Sequence, residues 1–205
     1  MPPETGRSAP SDRHPLALLA LIVSALPWLA LPLCPAPLFT RLRAECGSAH
    51  AAHACAMQAA SPQERHHWLQ LAATRGHQLS RYLLAKGYLQ NALLAGRTGQ
   101  CAAARRSAEQ AAACGSTTGL QLYVFGAGGD PARGRALALA QLADGSCVEP
   151  HGLDETRVLL GWMFARGYGG DVDLAQARNL YRLAGVSRNA TVARRAQNAL
   201  RALPR

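Results

Sequence analysis

Between Val158 and Gly185, apolar positions recur at helical spacing on both sides of a glycine cluster. Leu159, Leu160, Met163 and Phe164 mark one stripe, which Gly167, Gly169 and Gly170 interrupt. Ala177, Leu180, Tyr181 and Ala184 mark a second, with Arg178 and Arg182 off its face. The pattern predicts two short amphipathic helices joined by a glycine turn. One such hairpin cannot bury its own stripe, so stacked copies are expected.

Displacing the chain against itself by about forty residues finds a copy. Tyr123 falls on Phe164, Gly126 on Gly167, and Gly128-Gly129-Asp130 on Gly169-Gly170-Asp171. In the same register Ala136 falls on Ala177, Leu139 on Leu180 and Ala143 on Ala184. Glycine at these turns supplies positive φ or close backbone approach, and Asp130 and Asp171 are placed to cap the following helix. An older pair lies upstream: Arg65 to His77 reads as a second helix, Leu79 to Tyr88 opens the next hairpin, and Gln100 to Gly115 closes it. Arg188 to Leu203 predicts one more helix covering the open end, with Val192, Ala196, Ala199, Leu200 and Leu203 inward and Arg194, Arg195 and Arg201 outward. Asn189 or Thr191 is its cap, and its basic face also suits a membrane surface.

Leu160-Gly161, Phe164, Gly167, Gly169, Asp171, Ala177, Tyr181 and Ala184 resemble the pattern of the Sel-one-like repeats, relatives of the tetratricopeptide repeats. Trp68 to Ala73 with Gly76 resembles the end of another unit. The resemblance spans roughly Glu64 to Gly185 and departs from pattern at Asp144-Gly145. It implies an all-α fold, a short right-handed α-solenoid of stacked αα-hairpins that binds a protein or peptide on its concave face. Proteins of this kind act as adaptors, and some in bacterial envelopes are immunity partners of secreted toxins. Some are stapled by disulfides between neighbouring helices, Cys114 to Cys147 being one such pairing here.

The chain before the repeats differs in kind. Residues 1–14 are polar and proline-bearing and are expected to be disordered. Residues 15–39 are almost wholly apolar, and Leu16 to Leu33 carries no charge, close to the length that spans a bilayer as a helix. The segment is a cleaved signal peptide or a retained transmembrane anchor. The apolar run continues past the small residues Val23-Ser24-Ala25, which favours the anchor. The repeats then occupy 44–187 and the covering helix 188–205, with the solenoid expected on the periplasmic side.

Composition narrows the function. The 205 residues carry a net charge of +10 with 5% aromatics, a surface that favours an acidic partner. Basic residues are spread without interleaved aromatics, so nucleic acid is not expected as a ligand. The Gly126 to Asp130 run follows a helix and recurs as Gly167 to Asp171, so it is a turn between helices, not a phosphate loop. No nucleophile elbow or paired acids appear, and the reading is a non-enzymatic scaffold without a cofactor.

First helices of stacked hairpins face the ligand, which nominates Tyr82, Lys86, Tyr123, Trp162 and Arg166 as partner-binding residues. Of the six cysteines, Cys34, Cys46, Cys55, Cys101, Cys114 and Cys147, five follow the apolar segment. Cys101 and Cys114 are about 20 Å apart along one helix, too far for a bridge. The alternative function is copper or zinc binding. Ala44 to Ala60 read as one helix would place Cys46, His50 and His53 on one face.

Overall fold

The computed structural model describes residues 36–126, 128–145 and 147–204, all helix and turn. Helix α1 (Ala36–Glu45) precedes the hairpin α2 (Ala49–Gln58) and α3 (Pro62–Thr74). The next hairpins are α4 (Gln78–Arg97) with α5 (Cys101–Ala113), α6 (Thr117–Phe125) with α7 (Pro131–Asp144), and α8 (Gly152–Arg166) with α9 (Leu174–Ala184). Helix α10 (Ala190–Ala202) closes the order and packs on both α8 and α9. First helices α4, α6 and α8 touch in turn, and so do second helices α5 and α7, which makes two layers of stacked hairpins.

The helix starts follow from short polar side chains. Ser48, Ser61, Ser116, Asp130, Asp173 and Asn189 each accept a hydrogen bond from a backbone N–H of the first turn they precede. Helices α3 and α7 add proline at their first turn, where its missing donor costs nothing.

Among the described residues the core has two parts. Ala44, Ala52, Cys55, Ala56, Trp68, Leu69, Ala72 and Leu84 form one between α1 and α4. The larger runs from Ala92 through Leu120, Tyr123 and Val124 to Leu160, Met163, Phe164, Leu180 and Tyr181. Helix α4 belongs to both, through Leu84 and Ala92.

Three expectations are corrected. Ala44 to Ala60 is not one helix: α1 ends at Glu45, Gly47 turns the chain at φ +112°, and Ser48 starts α2. Asp171 does not cap α9. Asp173 does, and the carbonyl of Asp171 instead accepts from Arg135 at 3.0 Å. The register of the second helices therefore shifts. Asp130 corresponds to Asp173, so Leu137 and Ala138 take the buried places of Leu180 and Tyr181, while Ala136, Leu139 and Ala143 are exposed. The turn after α8 is two residues longer than the turn after α6, which is why one displacement aligns the turns and misaligns the second helices.

The apolar segment 15–39 lies outside the described residues except for its end, which forms the first turn of α1. Among the described residues no helix is long and apolar enough to cross a membrane.

Candidate binding face

Helix α4 presents Tyr82 and Lys86 one turn apart, both exposed. Leu93 and Arg97 continue the same helical face. There the surface opens into a groove of about 460 Å³. Its walls are Ala92, Leu93, Gly96 and Arg97 of α4, Ala104, Arg105 and Ala108 of α5, and Leu122, Tyr123 and Gly126 at the end of α6. The hollow has a simple origin. Helix α4 has 20 residues and α6 has 9, so the last turns of α4 and the start of α5 extend past the end of α6. Alanine and glycine on the facing surfaces leave the space unfilled.

Beyond the groove the face continues onto α8. The Phe125 ring lies 5.3 Å from that of Trp162, which lies 5.2 Å from that of Tyr168. Tyr168 donates from its hydroxyl to the Val124 carbonyl at 3.2 Å, tying the α8–α9 turn to α6. Arg166, one turn after Trp162, is exposed.

Four of the five nominated residues, Tyr82, Lys86, Trp162 and Arg166, are wholly or partly accessible. The fifth is not. Tyr123 is 2% exposed and packs beside Val124 against Gly134, so only its edge reaches the groove floor. Phe125, two residues on, is 60% exposed. Tyr123 is nominated as a residue of a first helix, yet like Phe164, with which it aligns, it belongs to the core. The signal available for Phe125 was its place one residue before the turn glycine, at the end of an otherwise apolar helix.

The turn glycines act in two ways. Gly167 caps α8 at φ +65°, a left-handed conformation that a side chain resists. Gly129 is held by close approach, since a Cβ there would stand 2.1 Å from the Tyr123 carbonyl oxygen. Gly126, Gly128, Gly169 and Gly170 lie in the same two turns.

The metal alternative loses its geometry. Cys46 sits in the turn before α2, off the helix that carries His50 and His53. These two histidines instead pack on His77, with ring centroids 5.0 and 4.3 Å away. No group of three histidine, cysteine or acidic side chains able to hold a metal occurs among the described residues.

The cysteines there are free thiols. Cys147 Sγ lies 3.1 Å from Thr117 Oγ1 and from the Gly115 carbonyl, whereas Cys114 lines a separate recess with Tyr88 and Asp144. Burial pushes both thiols up from their ordinary range, so neither is a ready thiolate.

No family model matches the chain, and no curated protein matches it. Five chains of known structure do. One, a Sel1 repeat protein from Oxalobacter formigenes, superposes with a TM-score of 0.47 at 18% identity, covering 79% of this chain. This chain spans 48% of that protein's length.

Proposed function

We propose that the protein is a non-enzymatic interaction scaffold. It binds a protein or peptide along the face that runs from Tyr82 through the groove to Phe125, Trp162 and Arg166. The observation that carries the reading is the accessible apolar surface there: Leu93 of the groove wall is 47% exposed, and Phe125, next to the lining Gly126, is 60% exposed. Contiguous exposed apolar surface of this kind marks interaction sites more often than it marks idle surface. The apolar run Leu16 to Leu33 supports attachment of the scaffold to a membrane, and labelling of the exposed, free Cys101 by an impermeant maleimide on intact cells tests which side it faces.

A photoreactive amino acid in place of Phe125 tests the scaffold itself, with the same probe at Leu139, an exposed position on α7 of the other layer, as control. A discrete protein adduct at Phe125 and none at Leu139 is the expected result. Equal adducts at both positions, or none at Phe125, would sink the reading.

A further inference from the structure

We propose that the groove between α4, α5 and α6 takes an acidic segment of a partner protein, seating its apolar side chains on the alanine and glycine floor. The proposal rests on the scaffold reading and names the chemistry of its partner.

Charge complementarity selects the occupant. From Arg65 to Ala108 the chain contains no aspartate or glutamate, while Lys86, Arg97, Arg105 and Arg106 fall within it, Arg97 and Arg105 lining the groove. Helix α6 carries no charge at all. The nearest carboxylate in sequence, Glu109, is held by Arg133 at 2.9 Å. Most other described carboxylates are similarly engaged. Asp130 and Asp173 cap helices, Glu149 accepts from the first N–H groups of α6, and Glu64 and Asp154 pair with Arg41 and Arg157. Arg97 and Arg105, the cations that line the groove, thus have no ion pair with a carboxylate among the described residues, and their field acts on whatever enters.

The two arginines of the groove differ in use. Arg105 donates to the Gly128 carbonyl at 2.6 Å and braces the groove against the α6–α7 turn. Arg97 makes no ion pair among the described residues and stands at the rim beside exposed Leu93. A segment with apolar anchors and flanking carboxylates satisfies both surfaces at once: the anchors leave water, and the carboxylates meet Arg97 and its neighbours at the wet rim.

Size and openness favour a protein segment over a small acyl carboxylate. The volume falls within the range of about 300–1,000 Å³ common to ligand sites, but such ligands bury most of their surface in an enclosed cleft. This groove is open along one side, with Leu93 of its wall 47% exposed and exposed Phe125 next to the lining Gly126.

The probe is a fluorescein-labelled amphipathic peptide with Leu and Phe on one face and Glu and Asp on the others. Its scrambled isomer and a version with Lys replacing the carboxylates are the controls. Binding is read by anisotropy with the full chain in detergent. The acidic peptide should bind in preference to both controls and weaken as ionic strength rises.

Gly96→Phe is the decisive variant, because Gly96 lines the groove and a Cβ there meets nothing within 4 Å, so the side chain has the hollow to enter. It should weaken binding by about tenfold or more, whereas Gly96→Ala leaves the affinity within about threefold. Arg97→Glu should weaken it several-fold and flatten the salt dependence. Equal binding of the lysine peptide, indifference to Gly96→Phe, or displacement of the peptide by dodecanoate below its micellar range would each overturn the proposal. If a partner still crosslinks at Phe125 in the Gly96→Phe chain, the groove assignment falls and the scaffold reading stands.

Discussion

Ser80 is fully buried and lies between two imidazoles, with its Oγ 2.9 Å from His53 Nδ1 and 3.0 Å from His77 Nδ1. His77 is also the N-cap of α4, where its Nδ1 accepts from the Ser80 backbone N–H at 3.3 Å. A protonated Nδ1 has no lone pair to accept with, so the cap requires this nitrogen to be free of a proton. Desolvation holds both histidines below their ordinary value, with further lowering from His50 on His53 and from His53 and His50 on His77. The unfolded chain therefore binds protons before the folded one does. Stability is at its full value above the ordinary histidine pKa of 6.5 and is lost as pH falls through the lowered folded values. Melting temperature followed by circular dichroism should be flat above neutrality and decline on mild acidification. His77→Asn keeps a capping side chain and removes one titrating group, so it should make that decline shallower. An unchanged acid slope in the variant would place the sensitivity elsewhere. Sequence spacing could bring His50 and His53 together on α2, but His77 joins them only through the fold of α2 and α3 against α4.

Helices and their stripes were legible because amphipathic spacing survives within each element; Ala177, Leu180, Tyr181 and Ala184 are all buried. Register across a turn was not, because a two-residue difference in loop length leaves no mark on the pattern of either helix. The start of α6 shows a third case. Its cap is shared between Ser116, the local residue, and Glu149 from the segment before α8, which accepts from the Thr117 N–H at 2.9 Å and from the Ser116 hydroxyl. No local pattern announces a cap that arrives from 32 residues away. Thr117, Thr156 and Gln141 extend this contact into a buried polar chain, Gln141 donating to the Ala112 carbonyl at 2.8 Å. Glu149→Gln keeps the shape but removes the charge and turns one acceptor into a donor facing N–H groups. It should cost about 1–2 kcal/mol, read from urea unfolding. A neutral result would mean that Ser116 alone suffices as the cap.

On the scale of the whole chain, the two core clusters differ in what they bury. The first relies on alanine, with Trp68, Leu69 and Leu84 as its large members, while the second holds Leu120, Tyr123, Leu160, Met163, Phe164, Leu180 and Tyr181. Larger apolar side chains remove more surface from water, so the hairpins from α6 to α9 should be the more stable part. In a stack where each hairpin touches only its neighbours, stability is close to a sum of local terms, and the ends can open separately. Helix α4, which contributes to both clusters and supplies one wall of the groove, is where the two parts meet. Met163 is fully buried, and Met163→Ala should cost about 2–5 kcal/mol. Trp68, almost fully buried in the other cluster, should cost about 3–5 kcal/mol on truncation to alanine. Hydrogen exchange separates local from global effects. Met163→Ala should speed exchange in α6 to α10 and leave α2 and α3 near their native rates; Trp68→Ala should do the reverse. Uniform acceleration over all helices in both variants would show one cooperative unit. The groove would then stand or fall with the whole fold, and acid acting at His53 and His77 would reach the binding face by unfolding it, not by loosening the first hairpins alone.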